Sequence, residues 1–233
     1  HPETGTILVN LAQLLMNKGD LDAAEPMFRR AIEITEKALD LDHPDTVICL
    51  SHLAYLLAEK GEVQAAEQMY KRAIEIAEQK LNQHHPYLDR YHTNLAALLE
   101  EKGDLDTAEH LYRRALKITE KNLGPNHPKT GTSLNNLALL LKNKGDLEAA
   151  EPLYRRALAI TEQALGPNHT STGTRLNNLA LLLKSKGDLE AAEPLFRRAL
   201  AITEQALGPV HPKTKKAVSN LLKIYVKRGD LEA

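Results

Sequence analysis

The sequence predicts an all-α fold of stacked antiparallel helix pairs, and three observations point to it. A glycine recurs every 42 residues along the 233-residue chain, at positions 19, 61, 103, 145, 187 and 229. The apolar residues on both sides of each glycine follow the spacing of amphipathic helices. Aromatic residues make up 4% of the chain and tryptophan is absent, so the core must be built from Leu, Ala and Ile, which favours helices over sheets.

The first helix of each unit precedes the repeating glycine. In the fourth unit, apolar residues follow the i, i+3, i+4, i+7 rule of a helix that buries one face: Leu134, Leu137, Ala138 and Leu141. Pro128 stands in the first turn, where its missing N–H costs no hydrogen bond. Gly145 is expected to end this helix because glycine readily takes the positive φ of that position.

The second helix of each unit begins directly after this glycine. Asp146 is suited to cap it, because the side-chain oxygen can accept from a free N–H of the first turn. Its apolar stripe comprises Leu147, Ala150, Tyr154, Ala157, Leu158, Thr161 and Leu165. Gly166 and Pro167 then end it. Each unit is therefore predicted to be a helical hairpin, and neighbouring hairpins must stack because neither can bury its stripe alone.

The chain is predicted to be a single repeat array. Its units span residues 1–42, 43–84, 85–126, 127–168, 169–210 and, as a partial unit, 211–233. Histidines open the units after the first, at His43, His85, His127, His169 and His211. We expect them to cap the following helix or to bond a loop carbonyl. Because the chain begins at His1 rather than Met and stops within a sixth unit, we expect it to be part of a longer protein.

The small and large residues around the glycine resemble the tetratricopeptide repeat. The matching residues are Leu137, Ala138, Gly145, Leu147, Ala150, Tyr154 and Ala157, with an equivalent set in the first unit at Leu11, Ala12, Gly19, Leu21, Ala24, Phe28 and Ala31. The 42-residue unit, with ALGPNHPKT between hairpins, is similar to repeats of the kinesin light chain type. The resemblance implies a right-handed superhelical solenoid of about five and a half repeats.

An asparagine stands nine residues before almost every repeating glycine. The positions are Asn10, His52, Asn94, Asn136, Asn178 and Asn220, hereafter the asparagine ladder, and Asn135 and Asn177 precede two of them. The resemblance implies that first helices line a concave groove, where a ladder of carboxamides clamps the backbone of an extended peptide. Two alternatives stay open: the asparagines bond neighbouring helices or water, or they persist from duplication.

Charge along the same face changes sign. Acidic residues lie in units two and three at Glu59, Glu100 and Glu101, whereas Lys142, Lys184, Lys223 and Lys227 take similar places later, with Arg175, Lys215 and Lys216 beside them. This pattern predicts a peptide with its acidic part toward the C-terminal repeats, since charges set register more than they add affinity. The alternative is a solvated helix face.

Several classes of function are disfavoured. The formal net charge of −1 gives no drive toward nucleic acid or an anionic membrane, and the recurring basic pairs such as Arg155-Arg156 follow a glutamate that can pair with them. No phosphate loop, nucleophile elbow or zinc spacing is present, so we expect neither an enzyme nor a cofactor or metal. The single cysteine, Cys49, suggests a reducing cytoplasm.

These observations favour a non-enzymatic protein interaction scaffold that holds an extended peptide segment in its groove. One alternative is an assembly element that self-associates head to tail through uncapped terminal repeats. Another is a regular repeat scaffold without a ligand of its own.

Overall fold

The computed structural model describes residues 2–39, 43–80 and 87–229. Within these ranges it contains helices and no strands. The helices are α1 (Pro2–Asn17), α2 (Leu21–Leu39), α3 (Pro44–Glu59), α4 (Val63–Lys80), α5 (Leu88–Lys102), α6 (Leu105–Leu123), α7 (Pro128–Lys144), α8 (Leu147–Leu165), α9 (Thr170–Lys186), α10 (Leu189–Leu207) and α11 (Pro212–Arg228).

Two compact units divide the chain, His1–Asn122 and Leu123–Ala233. In the first unit, α1 packs on α2 and α3 packs on α4. The second helix of each pair also contacts the helix that follows it, α2 with α3 and α4 with α5. In the second unit, α7 packs on α8 and α9 packs on α10. In addition, α8 contacts α9, and α10 contacts α11. The predicted helix pairs are confirmed. The grouping of all units into one array stays a prediction.

The turn inside each pair has the predicted geometry. Gly145 has a φ of 89°, and the Asp146 amide donates to the Leu141 carbonyl at 2.9 Å, which closes the end of α7. The Asp146 carboxylate accepts from the Ala149 amide at 3.0 Å and caps α8. All six repeating glycines have φ between 79° and 89°.

The turn between pairs is held by a histidine and a threonine. His127 Nδ1 accepts from the Lys129 amide at 3.2 Å, which confirms the predicted cap. Thr130 donates from its buried hydroxyl to the Gly124 carbonyl at 2.8 Å. The same cap is seen at His43, His169 and His211, and the same threonine bond at Thr172 and Thr214. His85 lies outside the described residues.

The core combines leucines, isoleucines and alanines with one aromatic ring per second helix. The alanine seven residues before the glycine is fully buried in five units, at Ala12, Ala54, Ala96, Ala138 and Ala180. Its small side chain lets the two helices of a pair approach, and the aromatic ring fills the space beside them. The rings are Phe28, Tyr70, Tyr112, Tyr154 and Phe196, all at most 6% exposed.

The recurring basic pairs are neutralised by two different partners. Arg155 pairs with Glu151 four residues earlier at 2.7 Å, as predicted. The second member pairs with the preceding second helix instead: Arg198 of α10 lies 2.6 Å from Glu162 of α8, and Arg114 of α6 lies 2.6 Å from Glu78 of α4. These ion pairs join successive repeats and leave little of the arginine charge for an anionic partner.

No helix in the described part of the chain is both long enough and apolar enough to span a lipid bilayer.

Candidate functional site

Helices α7, α9 and α11 carry the ladder residues of the second unit. Thr132, Leu139 and Asn143 of α7 are exposed, and Asn136 on the same face is half-buried. At Asn136 this agrees with the predicted orientation, in which the ladder residue lies away from the apolar stripe. Asn178 of α9 is also half-buried, whereas Asn220 of α11 is only 8% exposed.

Hydrogen bonds link these asparagines from helix to helix. Asn178 Nδ2 donates to Asn135 Oδ1 at 2.9 Å, and Asn220 Nδ2 donates to Asn177 Oδ1 at 2.9 Å. The amides of Asn178 and Asn220 are thus each held by the residue beside the ladder in the preceding repeat. Asn135 is 5% exposed, so its carbonyl serves mainly as this internal acceptor.

The alternative interpretation, that the asparagines bond neighbouring helices, therefore holds for part of the ladder. A carboxamide has two donor hydrogens and an acceptor oxygen, and each of these bonds uses one donor and one acceptor. Asn178 retains a second N–H and its oxygen. No hydrogen bond from the Asn136 amide to another described residue is found, so both of its donor hydrogens and its acceptor oxygen remain for a ligand.

A groove opens between α9 and α11 with the end of α10 as its floor. Its volume is about 450 Å³. The residues that line it are Thr170, Ser171, Gly173, Thr174, Asn177, Asn178, Ala199, Thr203, Leu207, Lys213, Lys216 and Ala217. Two lysines and no carboxylate are among them. The sequence pattern singled out Asn177, Asn178 and Lys216, and missed the rest of the lining.

Lys184, Lys223 and Lys227 lie near one another on the second unit's first helices. Burial lowers the pKa of Lys184, and the positive charges of Lys223 and Lys227 lower it further. Three ammonium groups in mutual repulsion form a surface that an anionic partner would stabilise. Lys142 is half-buried on α7.

The ladder residues of the first unit have separate surroundings. Asn10 is exposed on α1. The ring of His52 lies 5.7 Å from that of Phe28, and burial lowers the pKa of His52. The Asn94 amide donates to the hydroxyl of Tyr70, whose pKa burial raises to about 12. His52 and Asn94 thus contact the preceding second helix.

A buried histidine in the first unit was missed from the sequence. His92 is fully buried on α5, at a position that Leu50, Leu134 and Leu176 occupy in other repeats. Its Nδ1 lies 2.8 Å from the Leu88 carbonyl and its Nε2 lies 3.3 Å from Glu78 Oε1. The departure from leucine at a core position was the signal that could have revealed it.

Burial lowers the pKa of His92, and the nearby Arg114 guanidinium lowers it as well. The hydrogen bond with the Leu88 carbonyl and the negative charge of Glu78 act in the opposite direction. A second groove of about 260 Å³ has His92, Glu78 and Arg114 in its lining. Cys49 is buried, which raises the pKa of its thiol to about 11. No group of three or more potential metal ligands is found in the described ranges.

Comparison with known proteins gives a consistent family. The sequence profile of the tetratricopeptide repeat matches residues 3–79, 87–163, 132–205 and 174–233. Comparison with curated protein sequences gives no match.

Solved structures match over most of the chain. Nearly identical TPR-like repeats of a kinesin light chain candidate from Podosopora anserina align with a TM-score of 0.78 at 24% identity, over 89% of this chain and 98% of theirs. BtubC (BKLC) from P. vanneervenii aligns with a TM-score of 0.80 at 25% identity, over 90% of this chain and 84% of its own. YrrB, a TPR protein with an unusual peptide-binding site, gives 0.58 at 18%, over 91% and 90%. The predicted resemblance to repeats of the kinesin light chain type is confirmed.

Proposed function

Because the chain belongs to the tetratricopeptide repeat family, whose members generally mediate protein–protein interactions, we propose that it binds an extended peptide segment of a partner protein. The ladder face of the first helices is the proposed binding surface, with the acidic part of the peptide toward the lysines of the later repeats. In this proposal the protein is a non-enzymatic scaffold. A reducing cytoplasm is its proposed location, since its one cysteine is a buried free thiol.

The observation that carries this proposal is that ladder amides in the second unit keep hydrogen-bonding groups that are not used within the protein. Asn178 is fixed by Asn135, yet it keeps a donor and an acceptor for a ligand. A fixed side chain loses little conformational entropy when it binds, and this raises affinity for the same contacts. A peptide backbone offers alternating C=O and N–H groups, which match such amides without any requirement for particular side chains.

Asn136 gives the sharpest test. Its amide has no hydrogen bond to another described residue, so Asn136→Ala should leave the melting temperature within about 2 °C. We would select peptides from a displayed library of 12-residue sequences on the wild type, and then measure Kd for the variant. The loss of about two hydrogen bonds should weaken binding about tenfold or more.

Asn168→Ala is the matched control, because Asn168 is exposed in the turn between α8 and α9, away from the ladder. It should bind as the wild type does. Unchanged peptide affinity in Asn136→Ala, or a library that yields no binder, would contradict the proposal.

Exposed apolar stripes favour a second candidate function, assembly of several copies of the chain. On α1, Ile7, Leu11 and Leu14 are 65%, 42% and 58% exposed, although residues at the same repeat positions in α5 are buried. On α11, Val218 and Leu222 are 38% and 47% exposed. Head-to-tail contacts could cover both surfaces.

Light scattering over a hundredfold range of concentration tests this candidate. Assembly predicts a molar mass that rises above 25.9 kDa and that Leu222→Gln lowers. Val210→Gln is the control, because Val210 is 77% exposed in the turn before α11. A constant monomer mass would exclude self-association.

A further inference from the structure

The groove beside His92, hereafter the α4–α6 groove, lies between the second helices α4 and α6, with α5 as its floor. All three helices belong to the first unit. Its lining on α5 includes His92 and Leu95. The ladder residue Asn94 lies about 200° around α5 from His92, at 3.6 residues per turn. The groove is therefore on another side of α5 from the proposed peptide surface.

His92 brings an unused hydrogen-bond acceptor to this groove. Its Nδ1 lies 2.8 Å from the Leu88 carbonyl, which can only accept, so Nδ1 carries the proton of the neutral ring. Nε2 is then an acceptor, and no donor among the described residues reaches it. Glu78 Oε1 lies 3.3 Å away and is also an acceptor. Two acceptors thus face each other at a fully buried side chain, which is unfavourable without a donor.

The second unit shows that packing does not require this histidine. There Leu176 occupies the same position, and Arg198 still pairs with Glu162 at 2.6 Å across successive second helices. Leucine at this position leaves no acceptor without a partner. A residue that breaks the local pattern at a cost in stability is typical of a functional site.

The walls of the α4–α6 groove are apolar. Ile74, Leu95 and Leu111 line it, and each is at most 9% exposed. The groove has a volume of about 260 Å³. Apolar cavities of about 150 Å³ bind benzene, so this one has room for a substituted ring. An occupant with an apolar body of that size would cover these walls.

The charges at the groove favour a neutral occupant. Lys71 and Arg114 are balanced by Glu75 and Glu78 in the same lining. A carboxylate ligand has no hydrogen to donate to Nε2 of His92. An ammonium ligand would be placed beside the Arg114 guanidinium, which repels it.

We propose that the α4–α6 groove binds a small neutral phenol. The phenolic hydroxyl would donate to Nε2 of His92 and accept from the Arg114 guanidinium, which has five N–H groups to share with Glu78. The ring would lie on Ile74 and Leu111. The Arg114 side chain is 45% exposed, so it can move aside to admit the ligand. This site is independent of peptide binding at the ladder.

The test is a nuclear magnetic resonance titration of the whole chain at pH 7.5 with 4-methylphenol. The Ile74 methyl signals report occupancy, and the ¹⁵N signal of His92 Nε2 reports the new hydrogen bond. We expect Kd of about 1 mM or tighter for such a small ligand. The comparison probe is 4-methylanisole, which has the same ring but no hydroxyl hydrogen. It should bind at least about tenfold more weakly, because the acceptor stays without a donor.

His92→Leu removes the acceptor and keeps a residue that other repeats carry at this position. It should bind the two probes within about twofold of each other, with its fold checked by circular dichroism. His110→Leu is the matched control on the exposed side of α6, and it should keep the wild-type preference. Asn136→Ala should keep it as well, since the ladder is not involved.

Three results would each overturn the proposal. The first is an Ile74 signal that does not respond to 4-methylphenol up to about 10 mM. The second is equal affinity of the wild type for both probes, which would mean that only the apolar walls are recognised. The third is a preference for the phenol that persists in folded His92→Leu.

Discussion

Replacement of His92 by leucine should stabilise the first unit, and more strongly in acid. His92 is fully buried, and both ring nitrogens face acceptors, the Leu88 carbonyl and the Glu78 carboxylate. A neutral ring can donate to only one of them. Leucine fills this position in four other repeats, and Glu78 would keep Arg114 at 2.6 Å. Exchange of a buried polar contact for apolar packing should gain about 1 kcal/mol at pH 7.5.

The pH dependence follows from the lowered pKa of His92. In the unfolded chain the ring takes a proton as pH falls through its ordinary pKa of 6.5, whereas burial resists this in the folded chain. The wild type therefore loses stability as pH falls below the unfolded pKa. If the folded ring stays neutral, the loss between pH 7.5 and pH 5 reaches about 2 kcal/mol. His92→Leu lacks this loss, so its advantage should widen toward pH 5.

Urea unfolding followed by circular dichroism, at constant ionic strength and several pH values, would measure this difference. The exposed His110 on α6 supplies the control, since His110→Leu should show the pH dependence of the wild type. An advantage of His92→Leu that shrinks toward pH 5 would refute the reasoning. It would mean that Glu78 stabilises the imidazolium more than burial destabilises it.

Three further predictions concern the ion pairs, the thiol and the caps. Contacts with Lys186 and Arg155 hold the pKa of Glu151 below its ordinary value of 4.5, so this stability is present above that value and lost as pH falls. Glu151→Gln should cost up to about 1 kcal/mol at pH 7 and progressively less as pH falls below 4.5, in urea unfolding. Cys49, with its pKa raised to about 11, should react with a thiol reagent at pH 8 about a hundredfold more slowly than in the urea-unfolded chain, as absorbance would show. His127→Ala removes the cap of α7 and should cost about 1 kcal/mol by urea unfolding.

The fold could be predicted in detail because its signals are local. The glycine at Gly145 and the cap at Asp146 act within four residues of one another, and the structure has both as expected. The histidine caps and the pairing of Glu151 with Arg155 are local in the same sense. The second arginine of a basic pair was different in three repeats, because its partner lies about 36 residues earlier: Arg72 pairs with Glu36, Arg114 with Glu78 and Arg198 with Glu162.

The candidate site could be predicted only in part. Helical spacing placed Asn136 and Asn178 on one face, which needed no knowledge of neighbouring helices. It gave no means of knowing that Asn178 donates to Asn135, since that bond spans 43 residues. His92 was missed for a related reason: a histidine in a leucine stripe has meaning only once Glu78 and Arg114 are known to lie beside it.

The sequence by itself determined the repeat length and the helix ends, because these depend on backbone conformations and contacts within a few residues. The tertiary structure decided which amides keep free donors, where the lysines gather and where a groove opens. Those properties arise between helices of successive repeats, as where His92 of α5 lies against Glu78 of α4. Such contacts depend on the space between packed helices, which local spacing does not specify.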